Sequence, residues 1–292
     1  MLRFALLVFA LSLFFPLFAN PYWLRLLSSA FLLSSLSYAH NLLFYQLGYP
    51  AFGGIAFFGL GAYTFSFLYS QNFPLTLSLL FSVLVPPLLS PILLPIMLRL
   101  KSHYFAVSTL ALQVMLMEIV ENIELFGGTK GYALNLSYNA NVIAYYLFLL
   151  ALLSLFLLTL FLEKSPFGKT LKALKEDEVA SLTLGINPIP YKLSMFLLMS
   201  MSLGFLGGAF SLWSAYIDAP TVFNPLLSVK TFFILILSMS SPVYGPFLWS
   251  LFFEVLFETL WSNFPQVHGV LLGLGIMLLI LIFPKGLRWR KS

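Results

Sequence analysis

Apolar residues fill this chain in long blocks, separated by short polar stretches and by one long polar interruption. About ten blocks are long enough, or nearly so, to cross a bilayer core of roughly 30 Å at 1.5 Å per helical residue. They lie at 3–18, 23–45, 50–69, 74–98, 104–122, 141–162, 192–216, 225–241, 245–262 and 268–283. The block at 50–69 is broken by Gly53, Gly54, Gly59 and Gly61, and that at 74–98 holds Pro86, Pro87, Pro91 and Pro95. Lipid tolerates such breaks only where neighbours or a cavity satisfy the freed backbone groups. These two blocks are therefore predicted to line a pathway. The fold expected is all-α: a polytopic bundle of about 8–10 membrane helices, one domain over residues 1–292 with a hydrophilic loop at 163–191.

Composition fixes the solvent. The chain is 60% hydrophobic and 9% charged, against about 25% charged in soluble domains, and its mean hydropathy is +0.97. The net charge of +5 is not arranged as a basic patch interleaved with aromatics, so no nucleic-acid partner is expected. Cysteine is absent, which excludes disulfides, thiol catalysis and Cys-ligated metals. Arg3 and the apolar run to Phe18 resemble a secretory signal. A cut after Ala19 would put Leu17 where a small residue is wanted, so the block is expected to be retained as a span.

Charge then orients the bundle. With the N-terminus inside, Arg3, Arg99, Lys101, the five lysines from Lys164 to Lys192, and Lys285, Arg288, Arg290 and Lys291 are cytoplasmic, twelve of fifteen basic residues. The exterior receives Gln71-Asn72, Glu124–Asn141, Asp218–Asn224 and Asn263–Gln266. An even number of crossings with both termini cytoplasmic satisfies the positive-inside rule.

The long interruption reads EKSPFGKTLKALKEDEVASLTLGINPIPYK, from Glu163 to Lys192. It predicts a short amphipathic helix, introduced by Pro166-Phe167-Gly168 and closed by Gly185 and Pro188. Its basic part (Lys164, Lys169, Lys172, Lys175) turns acidic at Glu176, Asp177 and Glu178. Such a helix either docks a soluble partner or lies on anionic lipid; the acidic centre suits lipid poorly.

No zinc-type spacing, phosphate-cradling loop or nucleophile elbow occurs, and His40, His103 and His268 are scattered. His40-Asn41 is either a polar contact in a pathway or a helix-to-helix hydrogen bond. Glu254 and Glu258, at i and i+4, share one face of the ninth block. A charge at that depth costs about 2.5–3.5 kcal/mol on insertion scales. They form a substrate-ammonium contact, a proton relay, or hydrogen bonds between helices; an ion-coupled secondary transporter would use them. Glu118 and Glu121 are expected at the membrane–water border. Gly127-Gly128-Thr129-Lys130-Gly131 is either a plain connection or an exterior docking surface.

Five fragments in order resemble the permease subunits of ATP-binding-cassette importers, in particular the branched-chain amino acid group. They span roughly residues 38 to 287. Ala51–Tyr63 (AFGGIAFFGLGAY) is similar to the family's SLGHAAFFGIGAY. Tyr104-Phe105-Ala106 with Thr109-Leu110 is similar to DYFAIVTLG, and Gly127–Gly131 to an exterior GGTNG. Gly168, Lys172-Ala173, Glu176-Asp177-Glu178 and Leu184-Gly185-Ile186 are similar to RAIREDEIAAEALGI, and Pro284–Leu287 to a terminal P-[KR]-G-L. The chain departs from the family at Tyr49, Ala51 and Gly54, where Gln, Ser and His are usual, and at Ser238–Pro246.

The resemblance implies a non-enzymatic permease in the cell (inner) membrane, without a cofactor on this chain. Its partners would be cytoplasmic ATP-binding subunits, a second permease subunit and an extracytoplasmic solute-binding protein. It assigns ATPase coupling to Gly168, Lys172, Glu176, Asp177, Glu178 and Gly185, on a helix over Leu171–Leu184 anchored by Leu171, Leu174, Leu182 and Leu184. It places Phe52, Gly53, Gly54, Gly59, Gly61 and Tyr63 on the substrate pathway, to which Glu254 is added, and binding-protein docking at Gly127, Gly128, Thr129 and Gly131. The cargo implied is a small polar solute, first a branched-chain amino acid.

Overall fold

The computed structural model describes residues 9, 11–18, 20–91, 102–136, 139–239, 241–263, 270 and 273. Arg3, Pro95, Arg99, Lys101, His268, the block at 268–283 apart from residues 270 and 273, the Pro284–Leu287 motif and the basic C-terminal residues lie outside them. The helices are α1 (Pro21–Leu47), α2 (Ile55–Ser70), α3 (Leu75–Leu84), α4 (Ser102–Asn122), α5 (Ala140–Lys164), α6 (Pro166–Glu176), α7 (Glu178–Thr183), α8 (Pro188–Ser214), α9 (Ala219–Val222), α10 (Pro225–Ser238) and α11 (Gly245–Asn263). Short strands β1 (Tyr132–Ala133) and β2 (Tyr216–Ile217) pair antiparallel, Tyr132 opposite Ile217.

Helix starts follow local chemistry. Proline stands in the first turn of α1, α6, α8 and α10, where its missing N–H costs no bond and its φ already suits the helix. Asn187 and Asn224 cap α8 and α10 through their side chains, accepting from Ile189 and Leu226. The residues at 52–70, 104–122, 140–164, 188–214 and 219–238 are long and apolar enough to cross a membrane. The chain is an all-α, multi-pass membrane protein.

The least apolar long helix is the inner one. α1 packs against α5, α8, α10 and α11; Ser28, Ser35 and Ser37 donate to its own carbonyls at Leu24, Phe31 and Leu33, and Ser34 donates to the Pro246 carbonyl of α11. These small residues let the neighbouring helices come close without leaving a hydroxyl unpaired. The first block joins this packing. Phe9 is buried against Phe156 and Phe247, and the Ser12 carbonyl accepts the Tyr145 hydroxyl.

α2 and α8 pack backbone against backbone. A Cβ on Gly61 would stand 2.2 Å from the Gly204 carbonyl oxygen, and one on Gly207 2.0 Å from that of Phe58. α3 closes on the same helix, with its Ser82 carbonyl oxygen 2.3 Å from where a Gly204 Cβ would lie. The block expected at 74–98 does not run straight. α3 ends at Leu84, and Pro86–Leu89 forms a 3-10 turn packed on α8, because Pro86 and Pro87 supply no N–H to continue the helix.

The stretch Asp218–Asn224, expected as an exterior loop, is folded and packed, with Pro220 and Thr221 exposed. Ala219, Val222 and Phe223 are fully buried, and α9 leads into α10 inside the bundle. The break at Phe223-Asn224 is served by α4: Gln113 donates to the Phe223 carbonyl at 2.8 Å and accepts from Ser228 at 3.0 Å. The freed backbone group is satisfied by a neighbour, which is what makes an apolar site tolerate the break.

Gly61→Ala is expected to cost about 1–3 kcal/mol by overpacking backbone against backbone. Thermal unfolding of the detergent-solubilised protein checks this; an unchanged midpoint would refute the contact.

Candidate functional site

The charged loop folds as two helices, not one. α5 stops at Lys164, and Ser165 turns the chain and caps α6, its Oγ accepting the Gly168 N–H at 3.1 Å. The turn is so tight that a Cβ on Gly168 would lie 1.7 Å from the Leu162 carbonyl oxygen. Leu171 and Leu174 are buried on the inner face of α6, which packs on α1 and α5. Two lysines fix α6 to that base. Lys172 pairs with Glu163 at 2.9 Å, and this hydrogen bond raises the ammonium above its ordinary pKa. Lys175 donates to the Tyr45 carbonyl at 2.7 Å and lies over the Tyr45 ring. Burial, and secondarily the Lys172 charge, push Lys175 below its usual pKa. A cation on carbonyls in the last turn of α1 complements the helix dipole.

Asp177 separates the two helices. Its backbone is extended (φ −153°, ψ 106°), and its Oδ1 accepts the Ala180 N–H at 2.9 Å as the N-cap of α7. Glu178 then pairs with Lys192 at 2.7 Å, and the same ammonium donates to the Tyr49 hydroxyl at 2.9 Å. Gly185 closes the unit with φ +83°, donating to the Leu182 carbonyl. The continuous helix expected over Leu171–Leu184 is thereby corrected, because the capping bond of Asp177 replaces helix continuation. The four leucines do not share a face either. Leu171 and Leu174 point inward, while Leu182 and Leu184 are 51% and 79% exposed, beside Val179 at 71%. Of the acidic trio, Asp177 serves as a cap, Glu178 as a salt-bridge partner, and Glu176 is exposed.

The Gly127–Gly131 turn lies at the opposite end of the bundle, before α5 and beside the end of α8. Gly127, Gly128 and Gly131 all have positive φ, at 83°, 53° and 64°, a region open to glycine at little cost. A Cβ on Gly131 would stand 2.1 Å from the Ile217 carbonyl oxygen. The turn feeds β1 into its pairing with β2, and Tyr216 donates to the Lys130 carbonyl. It is a fixed turn that leaves Thr129 and Lys130 exposed.

The glycine-rich segment is packed throughout. Phe52 stacks on Phe232 of α10 with centroids 4.1 Å apart. Gly53 donates to Thr109 of α4, whose carbonyl oxygen would lie 1.6 Å from a Gly53 Cβ. Gly54 receives the His40 ring, Nε2 standing 2.4 Å from the missing Cβ, and Gly59 receives the Phe223 ring. Tyr63 is buried and stacks on Phe223. None of these residues lines either described cavity. One, of about 370 Å³, lies between α3, α5 and α8 at Val83, Ser154 and Met201. The other, of about 400 Å³, lies at Tyr69, Asn72 and Asn135. His40 and Asn41 bond to the carbonyls of Leu36 and Pro242.

Glu254 accepts from Ser29 of α1, and Glu258 accepts from Tyr22 of α1 at 3.1 Å. Both carboxylates tie α11 to α1. Near the Gly127–Gly131 turn, Glu118 is exposed and Glu121 half-buried in the last turns of α4.

The profile of the branched-chain amino acid transport system permease component matches residues 22–282. The chain belongs to this permease family. Two curated relatives are the high-affinity branched-chain amino acid transport system permease proteins LivM of Escherichia coli K12 and Salmonella typhimurium LT2. Each is 27% identical over 277 residues, covering 82% of this chain. The chain spans 63% of the length of these relatives. No solved structure matches it significantly.

Several residues that organise the permease carried no signal in its sequence. Lys230 sits within α10, its ammonium 3.8 Å from the Phe257 ring centroid on α11. Gln113 looks like one polar residue in an apolar block, yet it holds the α9–α10 break. Lys192 reads as the edge of a loop, and it is 5% exposed. Only a count of charges within helices, rather than in loops, would have raised Lys230.

Asp177→Ala is expected to remove the α7 cap at a cost of about 1 kcal/mol. Hydrogen exchange at Val179–Leu182 should then quicken about fivefold, since 1.4 kcal/mol is a factor of ten. Unchanged exchange would mean that the cap does not hold α7.

Proposed function

We propose that this chain is the membrane-spanning permease subunit of an ATP-driven importer, with α7 as the contact for a cytoplasmic ATP-binding subunit. The observation that carries the reading is the exposed apolar side chains of α7 and its C-cap, Val179, Leu182 and Leu184, on a charged loop whose Lys172, Lys175, Asp177, Glu178 and Lys192 are already bound within the chain. Three large apolar side chains facing water at the end of a braced bundle suit a protein partner. An interfacial lipid helix would instead present its lysines around that face, and here Lys172, Lys175 and Lys192 are turned to Glu163, Tyr45 and Glu178.

In this reading the α6–α7 end is cytoplasmic, in agreement with the lysine distribution, and the Gly127–Gly131 turn is external. Thr129 and Lys130 would meet an extracytoplasmic binding protein, and a second permease subunit would complete the pathway. The solute class follows the named relatives: branched-chain amino acids first, other small amino acids next. Hydrolysis of ATP takes place on the partner chain.

The Leu182→Asp, Leu184→Asp variant is expected to insert normally and to lose the ATP-binding subunit in copurification, its affinity falling about 30-fold for the loss of roughly 2 kcal/mol of anchor. Full copurification and ATP-driven uptake by this variant would sink the contact. Uptake by the wild type that follows a proton gradient and ignores ATP would sink the importer reading itself.

A further inference from the structure

The two halves of the loop are held in different ways. α6 is clamped to the bundle by buried Leu171 and Leu174, by Lys172 on Glu163, and by Lys175 on the end of α1. α7 follows a single extended residue, and beyond its backbone connection it is tied to the bundle by Glu178, whose two oxygens both meet Lys192 at 2.7 Å. The side chain of Lys192 is 6% exposed, and it rises from the first turns of α8.

Two features make this ammonium unusual. A cation near a helix N-terminus faces the positive end of the macrodipole, and a buried ammonium needs a partner to offset lost hydration. Glu178 supplies that partner. Tyr49 supplies the second, its hydroxyl 2.9 Å from Nζ and its ring beneath the charge at 4.9 Å. Tyr49 lies in the connection from α1 to the glycine-rich segment, and its ring meets Phe105 of α4 at 5.2 Å. Four residues further, the same connection is pinned at Gly53 to Thr109, and Phe52 stacks on Phe232. One ammonium thus touches the exposed helix on one side and the segment leading into the bundle on the other.

We propose that Lys192 is a positioning residue that transmits displacement of α7 to the segment Tyr49–Gly54, with α6 as the fixed base and Asp177 as the hinge. This rests on α7 as the ATPase contact, and it adds the route by which that contact reaches the membrane interior. A push on Val179, Leu182 and Leu184 moves Glu178. Glu178 draws the Lys192 ammonium, and Lys192 releases or pulls Tyr49. An ionic link suits the task because it stays directional through small shifts, whereas Lys172 and Lys175 hold α6 still.

The chain contains no cysteine, so Pro50→Cys introduces a single reporter. In the purified permease alone, Lys192→Met is expected to raise maleimide labelling of Pro50→Cys several-fold, and Tyr49→Phe to raise it less. Unchanged labelling in both overturns the link whatever the ATPase does. In the assembled transporter, transport per ATP hydrolysed is expected to fall about tenfold in Lys192→Met, within the range of ordinary coupling between sites, with the ATP-binding subunit still copurifying. The exchange Glu178→Lys, Lys192→Glu should restore part of it. An unchanged ratio in Lys192→Met with the subunit bound overturns the transmission. Should Lys192→Met fold poorly, Tyr49→Phe carries the same test, because it removes only a hydroxyl. Failure of the wild type to bind an ATP-binding subunit overturns the reading of α7, and the labelling result then decides the link by itself.

Discussion

Helices in a bilayer gain little by hiding apolar surface from lipid, because the tails are equally apolar. Fit must bring them together, and here the fit is made by glycine. Gly61 on α2 faces the Gly204 carbonyl, Gly207 on α8 faces the Phe58 carbonyl, and Gly208 lies against Ser82 of α3. With no Cβ at these positions, α8 sinks among α2, α3, α5 and α1. Its two ends are then fixed in space. One end carries Lys192 under the charged loop, and the other delivers Tyr216–Ile217 to the strand pair that holds the Gly127–Gly131 turn. Both candidate contact surfaces therefore depend on a backbone contact near the middle of the bundle.

The same economy governs the polar groups inside. Ser28, Ser35 and Ser37 of α1 bond to their own helix and Ser29 and Ser34 to α11, so a helix of low hydropathy can occupy the centre without exposing hydroxyls to hydrocarbon. Where the helical ladder stops, a side chain from another helix takes over: Gln113 at the α9–α10 break and Thr109 at Gly53. Both come from α4. The two interrupted segments meet through the Phe52–Phe232 stack, and Gly59 and Tyr63 close on Phe223. The glycines here answer to close packing.

Much of this was legible in the chain, for identifiable reasons. Asn-Pro and Ser-Pro steps set the starts of α1, α6, α8 and α10, because capping and proline preference are local. The glycine-rich motif announced close approach. Other features depend on partners far away in sequence. Asp218–Asn224 has the composition of a loop, and Gln113, more than a hundred residues earlier, satisfies its buried Phe223 carbonyl. Leu171, Leu174 and Leu182 are spaced as one helical face would be, but the break at Asp177 leaves Leu182 exposed while the first two are buried. His40 fills the space at Gly54, where the resembling family has a histidine of its own, and no reading of either segment alone pairs them.

The division of the loop bears on what a partner can do to this bundle. A single long helix clamped along its length could only be docked upon. Two helices, one clamped and one tethered through an ion pair, permit relative motion while keeping a fixed reference. The tether joins α8, held by the glycine contact, to the connection that leads to Gly53. Motion delivered at α7 has therefore a short path to the place where both interrupted segments meet, and it need not disturb α8 itself. The backbone breaks near Gly53 and Phe223 are where such motion is absorbed most easily, since hydrogen bonds from side chains replace the helical ladder there and exchange at lower cost than a continuous helix unwinds.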